Sequence, residues 1–259
     1  MRIAFFGLGA MGTPMARRLA DTGHAVAPFD VNAGALARWR AAGAGPSFSV
    51  ADAAVVVTCV TDEGALTSLA PDLLRSLPRE ALWIDHTTAS AVTAERLARA
   101  CARIGAGFVD APVSGGPEGA AEGRLVAMAG GTPADVERAR PLLAAYAAHV
   151  VHLGPAGSGQ LAKAANQLAI AGTVRGLAEA VALARSGGLD VNALLEALAG
   201  GTAASRQLER TRAQWLADEP FEHAFAWLAK DLALALHEAE RLRTELPASA
   251  CIAQLLASR

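Results

Sequence analysis

The chain has no uninterrupted apolar run near the ~18 or more residues that a membrane-spanning helix requires, so no bilayer span is expected. Nor does its beginning look like a secretory leader. The first apolar stretch is broken by glycines and leads into Arg17 and Arg18, without the small-residue cleavage site of a signal peptide. A cytoplasmic location is the resulting expectation. Cysteine is scarce: Cys59, Cys101 and Cys251 are odd in number and far apart, which argues against a disulfide framework or a zinc site and leaves them as expected buried fillers. The histidines His24, His86, His149, His152, His223 and His237 show no ligand spacing such as His-x-x-x-His, so no metal is expected. A formal charge of −2 without a basic block gives no electrostatic reason to expect nucleic acid as a partner.

What the chain does have is alanine, glycine and a change of pattern near its middle. Its 259 residues suffice for one large or two ordinary domains. Up to about residue 155 short apolar runs alternate with helical ones. Arg2 to Gly7 predicts a buried strand and Met11 to Ala20 a helix, on Met11, Met15 and Leu19. Further strands are predicted at Ala25 to Phe29, Ala54 to Val60, Leu82 to Asp85, Gly107 to Asp110 and Leu125 to Ala129. Thr61-Asp62-Glu63 reads as a helix start, and Ala91 to Arg103 and Pro133 to Ala145 as later helices. Such alternation predicts an α/β, doubly wound, mostly parallel sheet over residues 1–155, with its ligand at the carboxyl ends of the strands. From residue 156 to residue 259 the pattern is helical throughout.

Gly7, Gly9 and Gly12 stand at the end of the first strand. In a chain with 25 glycines this spacing arises by chance about 0.2 times, so the spacing alone is weak evidence. Its setting between a strand and a helix is stronger. There the first glycine makes the turn, the second lets backbone approach a pyrophosphate, and the third lets helix and strand pack. The loop Gly7, Leu8, Gly9, Ala10, Met11, Gly12 is therefore the candidate phosphate cradle, at a helix start with free N–H groups. Asp30 ends the second strand, where a dinucleotide fold places the acid that binds the adenosine ribose. A carboxylate there repels a ribose phosphate, and Val31 and Asn32 bring no arginine, so NAD is expected over NADP. Val60, Thr61, Thr87 and Thr88 fall on neighbouring strand-end loops. The run Asp110-Ala-Pro-Val-Ser-Gly-Gly-Pro, with Ser114, Gly115 and Gly116, is a loop whose bare amides suit a carboxylate.

Gly154 to Gln167 joins the two halves. Three glycines and a proline loosen the chain, and a helix of ~28 residues, roughly 42 Å long, then runs to Ser186 before Gly187-Gly188 stops it and Asp190 caps the next. Lys163, Asn166 and Gln167 share one face of this helix. A lysine in such a place acts as a base only if its pKa is lowered from about 10.4 by burial or a nearby cation. By itself Lys230-Asp231 reads as a surface pair. Trp215, Phe221, Phe225 and Trp227 are expected to pack a core or a subunit interface, with Phe225 or Trp227 as candidate walls of a substrate pocket.

Four blocks carry a family resemblance: Gly-Leu-Gly-Ala-Met-Gly-Thr-Pro-Met-Ala from Gly7, Asp-Ala-Pro-Val-Ser-Gly-Gly from Asp110, Gly-x-Gly-x-x-x-Lys-x-x-Asn from Gly157, and Lys-Asp-Leu-x-Leu-Ala from Lys230. Together and in this order, the chain resembles the β-hydroxyacid dehydrogenases, the group of 3-hydroxyisobutyrate dehydrogenase and the tartronate, glyoxylate and succinic semialdehyde reductases. The resemblance implies a Rossmann domain, a long interdomain helix and an all-α domain, NAD-linked oxidation of a short 3-hydroxy acid to its semialdehyde, and a homodimer or homotetramer. It implies Lys163 as the catalytic lysine, Ser114, Gly115 and Gly116 as the carboxylate loop, and Asn166 as a substrate contact with Gln167 beside it. It further implies Thr88 and Lys230 as cofactor-side contacts.

The chain also departs from that pattern. Gln167 stands where a second asparagine is common, Thr87 where serine is, and the segment from Ala65 to Ala81 is short. It ends at Arg259, some thirty residues early for the family, whose members usually continue through a final helix that packs on the second domain, so Ile252, Leu255 and Leu256 are expected to be exposed unless a partner covers them. Three alternatives remain at this point. One is an NADPH-using semialdehyde or glyoxylate reductase. Another is an imine reductase, although those resemble this chain with aspartate or tyrosine in place of Lys163. The last is a non-catalytic dinucleotide-binding relative, against which the intact Lys163 and a charge near zero speak.

Overall fold

The computed structural model describes residues 1–43, 45–217, 225 and 228–257. Phe221, His223 and Trp227 lie outside the described residues. The chain divides into two compact units, Met1–Lys163 and Ala164–Arg259.

The first unit is an α/β sandwich. Its strands are β1 Arg2–Phe6, β2 Ala25–Phe29, β3 Val55–Thr58, β4 Leu82–Asp85, β5 Gly107–Asp110, β6 Val113–Ser114, β7 Leu125–Gly131 and β8 Ala147–Gly154. The helices between them are α1 Gly12–Asp21, α2 Ala33–Ala41, α3 Glu63–Ser76, α4 Ala91–Ile104, α5 Gly116–Glu122 and α6 Pro133–Leu143. The sheet runs β2-β1-β3-β4-β5-β7-β6, with β8 paired to β7. The first five strands in this order are parallel, and β7 then turns antiparallel to β5. From β1 the chain moves outward to β2 and then back across to β3, so the switch point of the doubly wound sheet lies between β1 and β3.

The strands alternate between two cores because successive side chains point to opposite faces. Ile3, Phe5, Val55, Val57, Leu82, Ile84 and Val109 meet Met15 and Leu19 of α1 on one face. Ala4, Val56, Trp83 and Phe108 meet Leu66, Leu73, Leu97 and Cys101 of α3 and α4 on the other. Pro28 is tolerated in β2 because β2 is an edge strand, where a missing N–H breaks no ladder. Helix starts follow their caps: Asp62 accepts from Ala65 N–H before α3, and Ser90 accepts from Thr93 N–H before α4.

Two strands were not foreseen, β6 and β8. In β8, Ala148, His149, Val151, His152 and Leu153 are exposed at the sheet margin, so burial imposes little alternation on its sequence. The cysteine expectation needs correction as well. Cys101 is buried, but Cys59 is only partly so and Cys251 is exposed.

The long helix α7, Ser158–Ser186, has the expected extent, with Gly188 in the left-handed region after it and Asp190 capping the next helix. By length and composition it is apolar enough to cross a membrane, but Lys163, Arg175 and Glu179 interrupt it, so it is not the uninterrupted apolar run whose absence was expected. Its buried stripe, Ala171, Val174, Leu177 and Val181, is part of the second unit's own core. There it meets Leu195, Leu208, Trp215 and Phe225, and then Leu228 and Leu232 of the helix Leu228–Leu242. Trp215 and Phe225 lie with ring centroids 4.7 Å apart.

The expected exposure of the chain's end is also corrected. Ile252 and Leu256, on the helix Pro247–Ala257, are buried in this core, and Leu255 alone of the three is exposed. Ile252→Ala should therefore lower unfolding free energy by about 2–4 kcal/mol in a denaturant titration, whereas Leu255→Ala should change it by no more than about 0.5 kcal/mol. Equal effects would contradict this packing.

Candidate active site

The parallel strands end in register: Phe6, Phe29, Thr58, Asp85 and Asp110 are aligned across β1 to β5. Whatever follows these residues is gathered along one edge, next to the β1/β3 switch point.

The glycine loop after β1 has the three distinct environments that the spacing requires. Gly7 has φ +96° and sits so close to β3 that a Cβ would lie 2.2 Å from the Cys59 carbonyl oxygen. Gly12 is packed against the loop, where a Cβ would lie 1.9 Å from the Gly7 oxygen. A Cβ on Gly9 would meet nothing within 4 Å. Gly9 and Ala10 are exposed, and the N-cap Met11 provides no side-chain cap for α1. The open glycine and the uncapped helix start fit a pyrophosphate.

Asp30 closes the loop from the side. Its Oδ2 accepts from Leu8 N–H at 2.6 Å and its Oδ1 from Asn32 N–H at 2.7 Å. Each carboxylate oxygen has a second acceptor site, so Asp30 can still receive ribose hydroxyls. Val31 is fully exposed beside it.

Val60 N–H donates to Thr87 Oγ1 at 3.2 Å, joining the loops after β3 and β4. Thr88 is half-buried on the second of these loops and Thr61 is exposed on the first. Beneath them lies a buried polar chain that the sequence reading did not single out. Trp83 Nε1 donates to Thr58 Oγ1, the Thr58 hydroxyl donates to Asp85 Oδ1 at 2.6 Å, and Thr87 N–H reaches the same oxygen at 3.1 Å. Asp85 Oδ2 has no hydrogen-bond partner among the described residues. Burial pushes the Asp85 carboxyl up to about 6, against the opposing pull of the Thr58 and Thr87 hydrogen bonds.

His86 is also buried. Its Nδ1 faces the Ala111 carbonyl at 2.6 Å, so Nδ1 carries the proton and Nε2 accepts from the Tyr146 hydroxyl at 2.8 Å. Burial lowers its pKa to about 4. This histidine is a neutral structural bridge.

The loop after β5 is less bare than expected. Ser114 belongs to β6 and pairs with Val126, and Gly116 opens α5. Gly115, at φ +134°, caps that helix, and a Cβ there would come within 2.9 Å of the Leu125 side chain. Ser114, Gly115 and Gly116 are all half-buried. Lys163 reaches this loop, donating from Nζ to the Val113 carbonyl at 3.0 Å.

Asn166 and Gln167 follow one turn along α7 and belong to the second unit, as does the exposed Lys230. Gln167 is buried, and its amide donates to Asp231 and accepts from Asn166 Nδ2 at 3.0 Å. Asp231 is thus tied to a buried amide, which corrects the surface-pair expectation for Lys230-Asp231. Among the described residues, no three His, Cys, Asp or Glu side chains group in a way that could hold a metal ion.

A family profile described as the NAD binding domain of 6-phosphogluconate dehydrogenase matches residues 2–154. A second, described as NAD-binding of NADP-dependent 3-hydroxyisobutyrate dehydrogenase, matches residues 157–259. The 3-hydroxyisobutyrate dehydrogenase of Pseudomonas aeruginosa is 34% identical over 264 residues, covering 96% of this chain and 88% of that one. The 2-hydroxy-3-oxopropionate reductase of Escherichia coli is 33% identical over 267 residues, 98% of this chain and 90% of that one. Among solved structures, Mycobacterium tuberculosis 3-hydroxyisobutyrate dehydrogenase with L-serine superposes with a TM-score of 0.86 at 32% identity, over 99% of this chain and 92% of that one.

Two measurements test this geometry. Gly9→Ala should leave stability within about 1 kcal/mol and raise the Kd for NADH by about tenfold or more, because its methyl group occupies the open space of the cradle. Unchanged affinity would remove Gly9 from the site. Asp85 binds a proton more readily folded than unfolded, so between pH 4 and 6 its ionisation costs stability as pH rises. The stability of Asp85→Asn relative to wild type should therefore increase by roughly 2 kcal/mol from pH 4 to pH 7, most of what a rise from 3.8 to about 6 is worth. His86 acts with the opposite sign but cancels in the difference. A pH-independent difference would contradict the raised carboxyl.

Proposed function

We propose a reaction for this chain from one premise: it belongs to the β-hydroxyacid dehydrogenase family, in the 3-hydroxyisobutyrate dehydrogenase group. It is an NAD(P)-dependent oxidoreductase of 3-hydroxy acids and their semialdehydes. Our specific reading is oxidation of a short, 3-hydroxyisobutyrate-like acid with NAD, Lys163 serving as general acid/base. The observation that carries it is the Lys163 Nζ bond to Val113, which sets the one lysine of this helix start beside the Ser114 to Gly116 loop.

Gly7 to Gly12 would hold the pyrophosphate, Asp30 the adenosine ribose, and Val60, Thr61 and Thr88 the face along the strand ends. When bound, the nicotinamide supplies the acceptor for a hydride from the carbinol carbon, or the donor in reverse. Ser114, Gly115 and Gly116 hold the acid's carboxylate by backbone N–H groups, which fixes the hydroxyl at the other end of a short substrate. Lys163 takes the hydroxyl proton as the C–H bond breaks, and returns it to the carbonyl oxygen in reduction. Val113 orients the amine through its carbonyl. Gln167, held by Asp231, fixes the Asn166 amide as a substrate contact. Asp30 favours NAD because its charge, already at the loop, opposes a 2′-phosphate.

Lys163→Ala should lower kcat by ~10²- to 10⁴-fold with NADH affinity held within about twofold, as loss of a general acid/base does. Near wild-type turnover would contradict the role. In steady-state assays with a short semialdehyde, kcat/KM should favour NADH over NADPH by about tenfold or more, from charge opposition at Asp30. Equal or better efficiency with NADPH would overturn that assignment.

A further inference from the structure

The first turn of α7 is held by two residues that have no part in the chemistry proposed above. Asp110, fully buried at the end of β5, accepts from Gly157 N–H at Oδ1 (2.8 Å) and from Gln160 N–H at Oδ2 (2.9 Å). These are N–H groups of a helix start, which have no partner within the helix and carry its positive end. Gln160, itself buried, donates from Nε2 to the Thr87 carbonyl at 2.7 Å and accepts at Oε1 from Ala89 N–H at 3.1 Å. The helix start is also pressed onto the sheet. A Cβ on Gly159 would lie 2.3 Å from the Met128 carbonyl and 2.7 Å from that of Asp110, and one on Gly130 would lie 2.8 Å from the Gly159 nitrogen.

We propose that Asp110 and Gln160 form a clamp that positions Lys163. Asp110 joins the helix start to the strand leading into Val113 and Ser114, and Gln160 joins it to the loop on either side of Thr88. Lys163 is one helical turn beyond Gln160. Its distance to the carboxylate loop and to the cofactor loop is thereby fixed by four hydrogen bonds in which it takes no part. Both are positioning residues and neither touches the reacting atoms. Asp110 suits the task because a carboxylate offers two oxygens to two N–H groups, whereas an asparagine offers one oxygen and turns an N–H against the other donor.

This inference rests on Lys163 as the general acid/base, and three purified variants separate the two claims. Lys163→Ala tests the lysine. Asp110→Asn and Gln160→Ala each break one arm of the clamp. For the clamp variants we expect kcat to fall by ~10- to 100-fold through misplacement of the amine, and NADH Kd to stay within about twofold because the Gly7 loop is untouched. We also expect the limb of the kcat–pH profile that disappears in Lys163→Ala to move. An inactive Lys163→Ala beside folded clamp variants with wild-type kcat and pH profile overturns the clamp alone. A Lys163→Ala protein at wild-type rate takes both claims down. Losses of kcat and NADH affinity that merely track a fall in Tm also overturn the clamp, because they describe a fold defect. Should Asp110→Asn fail to fold, Gln160→Ala decides by the same readouts.

Discussion

The grip of one buried carboxylate on a helix start is the constraint on which the first unit's chemistry depends. Asp110 is desolvated at the end of a central strand, and burial pushes its pKa to about 7 in spite of the Gly157 and Gln160 N–H groups that favour its charge. Asp85, its register partner on β4, raises it further by like charge. A protein that places two carboxyls side by side in its interior sacrifices stability there. What it gains is a fixed joint between a sheet that holds a dinucleotide and a helix that presents a lysine. The same joint accounts for the glycines around it, since Gly130 and Gly159 lie where a side chain on either would push strand and helix apart.

From that joint the rest follows by register. Five parallel strands end at one level, so the loops after β1, β3, β4 and β5 form a continuous rim. Each link along the rim is a hydrogen bond between neighbours: Leu8 to Asp30, Val60 to Thr87, Ala89 to Gln160, Lys163 to Val113. The Gly7 to Gly12 loop, the Ser114 to Gly116 loop and Lys163 are therefore parts of one unit, while Asn166 and Gln167 open the next. Short hydroxy acids offer little surface for recognition, so orientation has to come from such fixed polar groups.

Much of this was legible in the sequence because it is governed by local rules. Glycine spacing after a strand, an acid at the next strand's end and the helical stop at Gly187-Gly188 all act within a few residues. The tight turn at Gly7, the place of Asp30 beside that loop and the extent of α7 could be read for that reason. Strand β8 could not. It pairs with β7 through irregular register and leaves much of its side-chain surface in water, so it has no clean alternation. Gln160 was likewise overlooked, because its partners are 71 and 73 positions away and a glutamine in a helix's first turn carries no signal of its own. Asp110 stood in view within the Asp-Ala-Pro-Val-Ser-Gly-Gly run, but its carboxylate points to residues 47 and 50 positions onward, away from the loop that the motif suggested. Ile252 and Leu256 show the reverse error, since the end of a chain is covered wherever its helix finds a core.

The central claim is that this rim transfers a hydride between a 3-hydroxy acid and NAD. The most direct measurement is single-turnover oxidation of 3-hydroxyisobutyrate carrying deuterium on its carbinol carbon, with NAD and the wild-type enzyme. The label is then followed by mass spectrometry. The account predicts one deuterium in the reduced nicotinamide for each semialdehyde formed. NAD binding with no deuterium transferred, from this acid or any other short 3-hydroxy acid, would contradict it.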